Sequence, residues 1–165
     1  MQPSKLNRGE KVSAVSAVLL FVFMFFDWFG GKVSGVPGFS GNVTDSGSGG
    51  GSAWQTLDVI PLFLMLAIVV AVGVAVVRLT DADLELSISL NSIVAAVGAL
   101  AFLLILYRIV DPPGLASTPG ISVDATLELG IFLGLLAAAG IAYGGYSAMR
   151  EEGTTFGDAA DRLSS

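Results

Sequence analysis

Four apolar runs free of any charged residue restrict this chain more than any other feature: Val12 to Phe26, Val59 to Val77, Ile88 to Tyr107, and Leu129 to Met149. A hydrocarbon layer of roughly 30 Å is crossed by about 20 helical residues rising 1.5 Å each, so the second, third and fourth runs reach across outright. The first is shorter, and reaches a spanning length only if it continues through Asp27 and Trp28 to Phe29. Composition supports the same class. Hydrophobic residues make up 53% and charged residues only 13%, about half the roughly 25% charge of an ordinary soluble domain.

The expected fold is therefore an all-α membrane protein, a four-transmembrane-helix antiparallel bundle with spans at about 12–29, 57–78, 86–110 and 125–149. Residues 1–11 form an amino-terminal segment and residues 150–165 a polar tail with at most a short helical turn. Lys5, Arg8 and Lys11 precede a first run that lacks a small-x-small cleavage site, which reads as an uncleaved signal anchor. With the amino terminus cytoplasmic, Lys5, Arg8, Lys11, Arg78, Arg150 and Arg162 lie inside and only Lys32 and Arg108 outside. That asymmetry predicts a multi-pass protein of the cell membrane with both termini cytoplasmic.

The longest connection, residues 30–53, carries nine glycines among 24 residues. Its centre, "DSGSGGGS", is tether-like, and its first half, "KVSGVPGFSGNV", suits either a mobile surface loop or a short hairpin. Ser52 and Gln55 have the spacing of a capping box at the entrance to the second span. Trp28, Trp54 and Tyr107 stand at span ends, where amphipathic rings favour the membrane interface, and are read as interface anchors.

Close helix approach in lipid relies on small residues four apart. Gly130, Gly134, Ala137, Gly144 and Ala148 fall near one face of the fourth span, with Ile141 the large member of the stripe. Two uses are open: burial against another helix of the same chain, or a homodimer seam. Shorter stripes occur at Ala67, Ala71 and Ala75, and at Ser92, Ala95 and Ala99.

No ionisable residue falls in the central turns of the four runs, so the polar constellation is expected at the outer rim. Asp27, Asp58, Arg108, Asp111, Asp124 and Glu128 map there. In "YRIVDPPG", Asp111 precedes a proline and ends the helix, while Arg108 stands in its last turn. The candidate pairing joins Arg108 to Asp111, Asp27 or Asp58. It is either a helix stop with a snorkelling arginine or a weak cation or proton site.

The absences also exclude. Without cysteine or histidine there is no thiolate or imidazole ligand set, no haem-binding histidine and no Ser-His-Asp triad. No nucleotide-binding glycine motif follows a plausible strand, so an enzyme is not expected and no cofactor or metal is assigned. A net charge of -6 argues against nucleic acid as a partner. The expected partners are the lipid bilayer and either a second copy or another membrane protein.

"FDWFG" ending span one, "SAWQTLDVIPLFL" opening span two and "YRIVDPPG" after span three resemble motifs of small four-span membrane proteins of actinobacteria. That resemblance implies the span layout and supplies no activity. The layout, with a long tryptophan-containing first outer loop and a shorter second one, is also similar to that of claudin-like tetraspans, without the cysteine pair of their first loop. Two functions follow as expectations: a structural or accessory cell-envelope protein acting through protein contacts, or a small transporter or channel subunit with an acidic outer rim. The second needs a polar path, for which the spans offer Ser13, Ser16, Asn91 and Ser92.

Overall fold

The computed structural model describes residues 6–36, 39–43, 51–56, 59–80, 89–112, 119, 122–153 and 155–164. Over these the chain is mainly helical, with one small sheet. The elements in order are α1 (Arg8–Phe23), β1 (Asp27–Val36), β2 (Phe39–Val43), β3 (Gly51–Ser52), α2 (Ala53–Thr56), α3 (Ile60–Leu79), α4 (Leu90–Val110), β4 (Ser122–Leu127), α5 (Leu129–Glu151) and α6 (Phe156–Ser164). Helices α3, α4 and α5 are long and apolar enough to cross a membrane.

The apolar runs become helices because they lack internal breakers, and they end where polar or β-favouring sequence begins. Pro61 sits in the first turn of α3, where a missing N–H costs little. In α4 the last bond closes from the Asp111 N–H to the Tyr107 carbonyl at 2.8 Å, one residue before Pro112. Helix α1 stops at Phe23, through a turn that carries Phe25 and Phe26, and Asp27–Phe29 is strand. The expected run of span one to Phe29 is thus corrected: these backbone groups pair with β3 and β4 and are not available to a helix. Ala125–Leu127 likewise lies in β4 ahead of α5, because "SVDATL" places β-branched residues beside a partner strand.

All pairings in the sheet are antiparallel and run through β1. On one side β1 meets β4, from Phe29 opposite Leu127 to Ser34 opposite Ser122. On the other it meets β2, with Gly31 opposite Val43 and Val36 opposite Phe39, and further back β3, with Asp27 opposite Ser52. Of the two readings of residues 32–43, the hairpin is the one formed. Segments from both long connections are therefore joined in one sheet.

Helix α5 packs against α1 and α4, and α3 touches the same two. Between them lies the core, with Ala17, Leu20, Leu64, Ala101, Ile105, Ile131, Ala138 and Ile141 closed from solvent. The outward faces are equally apolar: Val15 and Val18 on α1, Leu62 and Val69 on α3, Leu103 on α4 and Leu136 on α5 are all more than half exposed. A folded chain that presents such residues on every long helix suits a lipid surround.

Helix α5 can serve as the central strut because its small residues admit other atoms to its backbone. A methyl carbon on Gly144 would stand 2.5 Å from the Ser13 nitrogen of α1, and one on Gly145 2.5 Å from the Ala95 nitrogen of α4. The stripe Gly130, Gly134, Ala137, Gly144 and Ala148 is buried within the chain. Its first two members receive no helix at all. The Trp28 indole lies over them, so that a methyl carbon on Gly134 would stand 2.5 Å from Trp28 Cζ2. Of the two uses open to this stripe, burial within the chain is the one seen.

Candidate functional site

The most concentrated polar chemistry lies away from the sheet, where the first turn of α1, the last turn of α3, the first turn of α4 and the end of α5 meet. Helix α1 opens at Arg8, so Glu10 belongs to its first turn and lies on the same face as Ser13, Ala17 and Leu20, all buried. Its carboxylate accepts the Asn7 backbone N–H at 3.0 Å, a bond that satisfies one of the free amides of the helix start. It also accepts Asn91 Nδ2 at 3.1 Å and faces Arg78 Nε at 3.3 Å. The Glu10 side chain is 3% exposed.

A second carboxylate joins the same donors. Glu152, at the carboxyl end of α5, accepts the Asn91 amide at 2.9 Å and the Ser89 hydroxyl at 2.9 Å, and pairs with Arg78. One arginine and one asparagine are thus shared between two acids, leaving a formal charge of -1 on the cluster. Burying a carboxylate in this way is tolerable only because it is compensated: Glu10 accepts two hydrogen bonds and has the Arg78 guanidinium beside it as counter-charge. Arg78 is 39% exposed, so water reaches the cationic side of the cluster while Glu10 is closed off.

Two hydroxyls within the helices hold bonds inside the chain. Ser13 donates to the Glu10 carbonyl at 3.0 Å, and Ser92 donates to Met149 Sδ at 3.1 Å; both side chains are buried. Asn91 Nδ2 donates to both glutamates. Chemically, the arrangement can hold four helix ends in register and keep a charge desolvated at one end of the helix set. Among the described residues, no group of His, Cys, Asp and Glu has the makings of a metal site.

At the sheet end, the expected rim pairing takes another form. Arg108 Nη1 reaches the Asp111 backbone carbonyl at 3.4 Å, while the Asp111 carboxylate accepts the Tyr107 hydroxyl at 2.9 Å. Among the described residues Arg108 forms no ion pair with Asp111 or Asp27. The reason is local: three residues apart at a helix end, the Asp111 carboxylate turns back one turn onto the tyrosine. Asp58 lies outside the described residues. Asp27 is exposed in β1.

The three aromatic anchors separate. Trp54 and Tyr107 are exposed at the sheet end, with Trp54 6.2 Å from the Phe25 ring. Trp28 corrects the expectation, being fully buried. As part of a strand its ring turns inward onto Gly130 and Gly134, and Nε1 donates to the Phe23 carbonyl at 2.7 Å, closing the end of α1. The Trp28 carbonyl then accepts the Glu128 N–H at 3.0 Å and so holds the start of α5.

Sequence reasoning missed the Glu10 cluster because the first apolar run begins at Val12, which left Glu10 outside the helix. Two signals point to it. Asn7 and Glu10 have the capping-box spacing, and helical periodicity places Glu10 in line with Ser13 and Ala17. Compared with protein-family models, curated proteins and solved structures, the chain matches none.

Proposed function

We propose that the chain is an accessory membrane protein without enzymatic activity, a four-span antiparallel bundle that presents its sheet on the outer side for contact with another protein. Helix α1, about 24 Å long at 1.5 Å per residue, is the fourth span; its exposed face, Val15, Val18 and Val22, is as apolar as those of the three longer helices. Support for the antiparallel arrangement comes from the Glu10 cluster, which gathers two helix starts and two helix ends. The start of α1 and the end of α5 lie at that end, which the distribution of Lys and Arg assigns to the cytoplasm.

One observation carries the functional reading: strands from two separate connections are tied into a single sheet, above helices in which Ser13 and Ser92 already hold internal bonds. That supports a recognition surface built from both connections, with Ser13 and Ser92 occupied and so not free to line a polar path. Photo-crosslinkers placed in intact membranes at Asp27 and Trp54, against a control at Leu103, test it. Protein adducts at the two sheet-end positions and lipid adducts at Leu103 are expected. Lipid adducts alone at all three positions would refute the partner reading.

The alternative of a small transporter or channel subunit now draws its support from Glu10, a desolvated carboxylate, in place of the outer rim. Cation or proton flux in proteoliposomes that Glu10→Gln abolishes would favour it.

A further inference from the structure

The nine residues of α6, "FGDAADRLS", divide cleanly around the helix axis. Phe156, Ala160 and Leu163 follow the i, i+4, i+7 spacing and fall on one face, while Asp158, Asp161 and Arg162 fall on the other. Phe156 is 48% and Leu163 72% exposed, so the described residues leave much of the apolar face uncovered, with the Tyr146 ring against Phe156.

What covers it follows from where α6 starts. The outward stripe of α5, Leu129, Phe132, Leu136 and Tyr143, ends in Tyr146 and Arg150. The Arg150 guanidinium lies 5.8 Å from the Tyr146 ring, the residue pairing suited to the junction of lipid and water. Gly153, with φ at +71°, then turns the chain in a left-handed conformation that a side chain would resist. Immediately beyond it Phe156 stacks on Tyr146, with ring centres 6.3 Å apart and planes 16° from parallel. The apolar face of α6 therefore continues the outward face of α5, at the depth where that face meets water. At its start α6 is fixed by a reciprocal cap, in which the Thr155 N–H donates to Asp158 at 2.9 Å and the Asp158 N–H donates to Thr155 Oγ1 at 3.3 Å.

From this continuity we infer that α6 is an interfacial helix, lying on the bilayer surface at the end of the Glu10 cluster with Phe156 and Leu163 inserted among the acyl chains. The inference rests on the proposed spanning arrangement. Its polar face carries two acids and one arginine, so insertion is driven by apolar area and does not require anionic lipid.

The absence of cysteine makes the test direct. Leu163→Cys, Asp161→Cys and Leu103→Cys variants of the full chain are spin-labelled and reconstituted in phosphatidylcholine vesicles. Collision rates with oxygen and with a water-soluble nickel chelate are then compared. Labels at Leu103 and Leu163 should favour oxygen and the one at Asp161 the nickel chelate, with the same pattern when phosphatidylglycerol is added. If Leu163 favours nickel while Leu103 favours oxygen, the proposal fails and the spanning arrangement stands. If Leu163 is shielded from both reagents, protein covers it, a second copy included, and the proposal also fails. Leu103 in water would overturn the spanning arrangement and this inference with it.

Discussion

Arg78→Ala should destabilise the protein more than removal of the charge on Glu10, although Arg78 is the more exposed of the two. Taking one partner from a buried ion pair costs roughly 3–5 kcal/mol, most of it the expense of a carboxylate left desolvated without a counter-charge. Two features lower that figure here. Glu10 keeps the Asn7 N–H and Asn91 Nδ2 as donors, and the 39% exposure of Arg78 means that water already screens the pair. The remainder is about 2 kcal/mol, or up to roughly a 30-fold change in the folded-to-unfolded ratio. Glu10→Gln removes the charge that needs compensation, keeps an acceptor for Asn91 and leaves Arg78 paired with Glu152, so about 1 kcal/mol or less is expected. Adding Glu10→Gln to Arg78→Ala should then recover about 1 kcal/mol. Denaturation by sodium dodecyl sulfate in mixed micelles, followed by far-ultraviolet circular dichroism, gives all four corners of this cycle. The reasoning is refuted if Glu10→Gln costs as much as Arg78→Ala, or if the double variant shows the simple sum.

Trp28→Ala, which empties a closed site and takes the indole donor from the Phe23 carbonyl, should cost about 3–5 kcal/mol in the same unfolding assay, whereas Trp54→Ala should stay within about 0.5 kcal/mol. Gly144→Leu should separate α1 from α5, since even a methyl carbon there stands 2.5 Å from the Ser13 nitrogen; a loss of about 1–3 kcal/mol in the same unfolding assay, with Gly73→Leu as a control where nothing stands near, would report it. The Asp158 carboxyl is held below the usual carboxylate range, first by the Thr155 hydroxyl and then by the Thr155 backbone N–H. Its contribution to α6 is therefore complete above the ordinary carboxylate range and is lost as pH falls through the lowered folded value. Amide resonances of α6 followed by nuclear magnetic resonance should show this acid transition, moved to higher pH by Thr155→Ala.

Local chemistry made the long helices legible. Charge-free length alone predicts α3, α4 and α5, and their observed ends fall within a few residues of the expected ones. The small-residue face of α5 was equally readable, because four-residue spacing is a property of one helix. Its occupants were not: that Gly130 and Gly134 would receive Trp28 depends on a strand folding back over α5. The pairing expected around Arg108 takes another form in space, because the Asp111 carboxylate accepts the Tyr107 hydroxyl and leaves the guanidinium its backbone carbonyl.

By itself the sequence determined which segments are long and apolar enough to cross a membrane, and such charge-free runs have little choice but helix if their backbone polar groups are to be satisfied away from water. Tertiary structure alone decided which residues do chemistry together. Glu10 and Asn91 are 81 residues apart and Arg78 and Glu152 are 74 apart, and β1 is paired to β4 from the far side of two long helices. No local pattern encodes such a meeting. It follows from how closely α1 and α4 approach α5, and that distance is set by glycines whose only contribution is the side chain they lack.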